Sequence, residues 1–163
     1  THPQAYAGMV EARMAGARSK STQRATREAV RFLEKARPLP PLSESNGLSR
    51  AALAHVLDRG PRGTTGHRGT DGSTPWSRMG RYGNKVGYAG ENIYYGRRDA
   101  RGVVVALIVD EGVSGRKHRA NIFHRAYRTA GVADGYHARF GKMFVMNFAT
   151  GFHEAPTRGM AAR

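Results

Sequence analysis

The chain has no cysteine. That excludes structural disulfides and thiolate metal sites, and leaves the compartment open. Acidic residues are scarce: 12 Asp and Glu stand against 27 Lys and Arg, a formal net charge of +15. No apolar run approaches the ~18 residues that span a bilayer. The longest, Val103 to Val109, suits a buried element instead. Zinc-finger spacing, an RNP-type aromatic motif and a helix-turn-helix pattern are all missing, so sequence-specific nucleic-acid recognition is not expected. The glycine-rich stretch lacks the Gly-Lys-Ser/Thr ending of a phosphate loop. No Gly-x-Ser-x-Gly elbow accompanies Ser114 and His118. No internal repeat is visible.

What is present describes a globular chain. Its 163 residues fit one domain with a core of its own. Hydrophobic residues make up 39% and aromatics 9%. The 21 glycines are about 13% of the chain, against about 7% on average. Many lie between Gly60 and Gly96, where turns are expected. The arginine-rich surface attracts polyanions by counterion release: anionic envelope polymers, lipid headgroups or an acidic protein. The scattering of the arginines also suits plain solubility.

Residues 1–22 read as a small, polar, basic arm with some helical tendency. Gln23 to Arg37 reads as a helix, because Ala25, Ala29, Phe32, Leu33 and Ala36 recur at helical spacing. Pro38, Pro40 and Pro41 stop it. Ser43 to Gly47 reads as a turn. A second helix follows to about Asp58, with Ser49 as N-cap and Leu48 and Leu53 as a hydrophobic staple. On that helix His55 faces away from Leu53, Val56 and Leu57, toward solvent or a second layer. Pro75 to Tyr82 predicts a short helix with Trp76 and Met79 buried. Glu91 to Tyr95 predicts a strand. Val103 to Val109 is apolar on every side, so its three consecutive valines favour strand while Asp99 offers a helix cap. Arg128 to His137 and Lys142 to Thr150 predict two strands joined at Phe140-Gly141, with Gly131 and Gly135 allowing close approach. His137 is placed near the sheet edge. This order gives an α+β layered domain with a small antiparallel sheet.

The chemistry concentrates around Gly90-Glu91-Asn92-Ile93, with His67 upstream and Glu111 and His118 downstream. Taken singly, each has an ordinary structural role. A histidine between glycines is an exposed loop residue, Glu91 is a carboxylate held by backbone N–H groups, and His118 starts a helix. Two imidazoles and two carboxylates brought together suit Zn²⁺ or another divalent cation, or proton transfer. Metal binding would then weaken as falling pH protonates the imidazoles.

The motif order Gly-His-Arg-Gly-Thr-Asp-Gly (66–72), Gly-Glu-Asn-Ile (90–93), His-Arg-Ala-Asn-Ile-Phe (118–123), Ala-Gly-Val-Ala (130–133) and Val-Met-Asn-Phe-Ala (145–149) resembles the CAP superfamily. That family comprises cysteine-rich secretory proteins, venom antigens and plant pathogenesis-related proteins, and the likeness is to its bacterial SCP-like members. It spans about residues 28–152. The resemblance implies an α-β-α sandwich with a central antiparallel sheet, and a cleft lined by His67, Glu91, Glu111 and His118 as metal ligands. Asp110 is the substitute for Glu111. At about 100° per residue, a helix puts Glu111 at the centre of the arc of Val103, Val104, Leu107 and Ile108. A strand would reopen the choice.

The expected organisation is therefore a basic arm (1–22), a CAP/SCP-like domain (23–153) and a tail (154–163). Starting at Thr1, the chain reads as processed, and the resemblance implies an extracellular or periplasmic protein. The expected function is binding or recognition, with a cleft able to hold a divalent cation. A metal-assisted hydrolase of a peptide or cell-envelope substrate is the first alternative. The second is an adhesive module that docks on an acidic partner through its basic surface, including Arg97, Arg98 and Arg101.

Overall fold

The computed structural model describes residues 2–12, 16 and 19–156. In chain order the elements are helix α1 (Pro3–Ala12), α2 (Lys20–Lys35), strand β1 (Ser43–Glu44), α3 (Asn46–Arg59), α4 (Pro75–Gly80), β2 (Gly83–Tyr95), α5 (Ala100–Val109), a single tight turn of helix (Ser114–Arg116), α6 (Lys117–Ile122), β3 (Thr129–His137) and β4 (Gly141–Glu154). They form two compact units. One takes the chain up to Pro41 together with Gly96–Arg125, and the other takes Leu42–Tyr95 and the chain from Ala126.

The first unit is helical. Ser19 caps α2, its hydroxyl accepting from Ser21 N at 3.1 Å. Ala25, Ala29 and Leu33 form the buried stripe of α2. They pack with Ala7 and Val10 of α1 and with Val105, Ile108 and Val109 of α5. The segment expected as a basic arm thus contributes a packed helix from residue 3 to 12. Helix wins over strand at Ala100–Val109, where Asp99 accepts from Gly102 N at 2.7 Å and starts the turn.

The second unit is a four-stranded sheet in the order β1-β3-β4-β2, with α3 packed on it. β4 pairs antiparallel with both β2 and β3. The two-residue β1 runs parallel to β3, where a turn was expected. β2 begins at Gly83, well before the expected Glu91. An irregularity between Val86 and Ala89 offsets the period there, and Gly87 takes a φ of 68°. Glu91, Asn147 and Gly131 lie in register across three strands.

α3 differs from expectation in three ways. Its cap is Ser45, whose hydroxyl accepts from Leu48 N at 3.1 Å, so Ser49 lies inside the helix. Leu48 is buried but Leu53 is exposed, so the two form no staple. The buried face is Leu48, Ala51, Ala52, His55 and Val56, and Leu57 points to solvent. The cause is close approach. A Cβ on Gly131 would fall 2.1 Å from Ser49 N, and one on Gly135 would fall 2.6 Å from Val56 Cγ1. Glycine at 131 and 135 of β3 is what lets the helix lie this close. On α4, Met79 is buried as expected, but Trp76 is half-exposed, with 49% of its surface open.

Candidate functional site

His67 sits in the loop between α3 and α4, and four consecutive residues of that loop are held from the second unit's framework. His137 donates from Nε2 to Thr64 O (3.1 Å). Arg59 donates to Thr65 O. His55 donates from Nε2 to Gly66 O (2.9 Å), and the Gly66 N–H donates to the Tyr95 hydroxyl (2.9 Å). Arg78 donates to His67 O (2.9 Å). Both framework imidazoles are fully buried. His137 is locked in one tautomer, because its Nδ1 accepts from Arg139 N and Phe140 N, each at 3.2 Å. His55 has no partner on Nδ1. Burial, then the nearby Arg78 charge, pushes its pKa below the usual imidazole value. Both effects favour the neutral imidazole. Burial also raises the Tyr95 pKa.

Glu91 is buried on β2 and receives the loop histidine. His67 Nδ1 lies 2.9 Å from Glu91 Oε1, and Arg78 Nη2 lies 2.8 Å from Glu91 Oε2. Arg78 is itself buried and also donates to Ser73 O at 3.2 Å. Half of the His67 side chain (51%) is open. A carboxylate on Nδ1 puts the proton there and leaves the lone pair on Nε2.

His118 repeats this arrangement in the helical unit, at the start of α6. Its Nδ1 lies 2.7 Å from Asp110 Oδ1, and its backbone N–H donates to Asp110 Oδ2 at 2.8 Å. Asp110 ends α5 in the left-handed region (φ 52°, ψ 42°) and is buried. The helix stops at Val109, so helical angles do not carry on to residue 111. Glu111 instead is exposed and accepts from the Thr22 hydroxyl at 3.0 Å. The carboxylate on His118 is thus Asp110. Arg119 caps the end of α5, donating to Ile108 O (2.6 Å) and Val109 O (3.3 Å). Glu28 of α2 pairs with Arg116 (2.7 Å) and Arg119 (3.0 Å). The Arg116 guanidinium holds the Glu28 carboxyl below its usual range.

Each histidine is paired with one buried carboxylate. Among the described residues, no three of His, Asp and Glu gather as a metal group. Arg97, Arg98 and Arg101 are exposed on the segment that enters α5. Sequence reasoning did not give a site role to Arg78, His55, His137, Tyr95 or Arg59. Their partners are mostly loop carbonyls, which leave no trace in residue type. The one usable signal was the presence of two further histidines, at 55 and 137, in elements that bury their neighbours.

The chain belongs to the CAP family, described as the cysteine-rich secretory protein family, whose model matches residues 11–148. No curated protein matches it. Among solved structures it is similar to an outer surface protein of Borrelia burgdorferi, at 19% identity and a TM-score of 0.57, over 68% of this chain and 78% of that one. It is also similar to an extracellular protein containing an SCP domain from Bacillus anthracis, at 19% identity and a TM-score of 0.55. That match covers 79% of this chain and 40% of the other. These likenesses show the fold: α+β, of the α-β-α sandwich class. Despite the family's description, this member has no cysteine. Among the described residues, no helix is long and apolar enough to cross a membrane.

Proposed function

We propose that this chain is an extracellular or periplasmic recognition domain in which His67, set against Glu91, and His118, set against Asp110, each taken within its own unit, present an imidazole nitrogen suited to a divalent cation such as Zn²⁺. The observation that carries the reading is the repeated pairing of Nδ1 with a buried carboxylate, at 2.9 Å for His67 and 2.7 Å for His118. Protein metal sites use that pairing to fix the tautomer and aim Nε2 at the ion. The donor chemistry fits imidazole ligation. It fits direct ligation by Glu91 less well, since Arg78 already faces that carboxylate. Glu91 and Asp110 are therefore assigned as orienting groups, and the cation would supply Lewis acidity or a fixed charge for a ligand. The location is supported by the outer-surface and extracellular descriptions of the two structural relatives.

Zinc titration followed by thermal melting tests the reading. Zn²⁺ should raise the Tm of the wild type, and His67→Ala and His118→Ala should each lessen the rise. Asp110→Asn should weaken binding about 10- to 100-fold, while Glu111→Gln leaves it unchanged. An equal rise in the wild type and both histidine variants would refute the assignment.

A further inference from the structure

The face of α2 opposite its buried stripe carries five cations and nothing that neutralises them in place. Lys20, Arg24, Arg27, Arg31 and Lys35 are all exposed. At about 100° and 1.5 Å per residue, they fall within an arc of about 80° and form a row about 22 Å long. Ala25, Ala29 and Leu33 lie on the other side of the helix. Among the described residues, no ion pair engages any of the five. Of the two acids on α2, Glu28 is drawn to Arg116 and Arg119, and Glu34 stands at one flank of the row. Packing requires none of these side chains to be basic, and placing five like charges side by side costs helix stability.

We propose that this row is a docking surface for a linear acidic polysaccharide. A single small anion would need the cations to converge, and these run in line. Arginine forks bind carboxylate and sulfate oxygens in pairs, and three of the five are arginine. A membrane surface would call for exposed apolar side chains beside the row, but none of the large exposed hydrophobic residues lies on α2. Single-stranded nucleic acid would call for exposed aromatic rings; Phe32, the one ring on α2, packs edge-on against Phe123 at 4.9 Å. The choice of a polysaccharide rests on the extracellular reading above; the position of the row does not.

The test uses heparin fragments as the probe, with three versions of the full chain. Arg24→Gln/Arg27→Gln/Arg31→Gln strips the row with a good helix former. Arg97→Gln/Arg98→Gln/Arg101→Gln removes the same charge elsewhere. At about 0.15 M salt, the row variant should lose at least about ten-fold in affinity, and its log–log salt slope should flatten by about two units. The control should change less than about two-fold on the same counterion argument, and Arg→Lys replacements in the row should retain most of the binding. Equal losses in the two glutamine variants, no heparin binding by the wild type, or tighter binding of duplex DNA or phosphatidylserine vesicles would each overturn the proposal. Zinc response measured on the same samples reports on the histidine reading separately, so the two can fail independently.

Discussion

Replacing Arg78 with methionine should unbalance the centre of the sheet unit. The guanidinium is buried and donates to Glu91 Oε2 at 2.8 Å, His67 O at 2.9 Å and Ser73 O at 3.2 Å. Methionine is of similar length and offers no donor. Removing one partner of a buried pair costs about 3–5 kcal/mol, because the remaining charge stays in a poorly solvated place. His67 still faces the other oxygen of Glu91, so the lower end, about 3 kcal/mol, applies here. At about 2–4 °C per kcal/mol for a chain of this size, the Tm should fall by about 6–12 °C. Glu91→Gln should also destabilise, since it strands the arginine. The double variant Arg78→Met/Glu91→Gln should lose at least about 1.5 kcal/mol less than the sum of the two single losses. Urea unfolding followed by circular dichroism measures all four proteins, with the slope m checked for constancy. Additivity within about 0.5 kcal/mol would refute the claim that the two charges need each other.

Gly131→Ala should be among the most damaging single-methyl changes, because the new Cβ would meet backbone: Ser49 N at 2.1 Å and Leu48 C at 2.4 Å. Loss of soluble protein or a Tm fall above about 6 °C is expected; Gly8→Ala, with nothing within 4 Å, should be neutral or mildly stabilising. Stability should decline in acid through His55. Its folded pKa is depressed, so the unfolded chain takes up the proton first. The contribution is complete above the ordinary imidazole value of about 6.5 and is lost as pH falls below it, by at most about 1.4 kcal/mol per pH unit. Melting from pH 8 to 5 checks this, and a His55→Gln variant with an unchanged pH slope would refute it. The Glu28 pair adds its loss in a separate window, as pH falls below the ordinary carboxylate value of 4.5.

The sequence made the α2 helix and the two long C-terminal strands legible because their apolar periods are strong and their ends carry prolines and glycines. It misled on α3 because hydrophobicity was used to choose the buried face. The helix lies close on β3 at Gly131 and Gly135, and the face it buries there runs through Leu48, Ala51, Ala52, His55 and Val56, while Leu53 and Leu57 are left outside. His55, expected toward solvent or a second layer, lies fully buried on the same face as Val56. The motif blocks put His67, Glu91 and His118 in one expected set, and the structure sets His67 against Glu91 and His118 against Asp110. The choice of Asp110 over Glu111 could not be anticipated, because it depends on where α5 stops and on a left-handed residue at its end. The row of cations on α2 follows from the same helical spacing that makes its apolar stripe.

The end of β4 has a practical meaning for dissecting this protein. Glu154 lies six residues past the last position matched by the family, yet its carboxylate takes the Ser45 hydroxyl at 2.6 Å and the Gly47 N–H at 2.7 Å. A fragment cut at the family boundary would therefore release the first turn of α3 from its anchor and unpair β2 from Gly83 to Val86. Anyone trimming the chain for crystals or fusions needs to keep the stretch through residue 154, or the helix that props the His67 loop loses its footing.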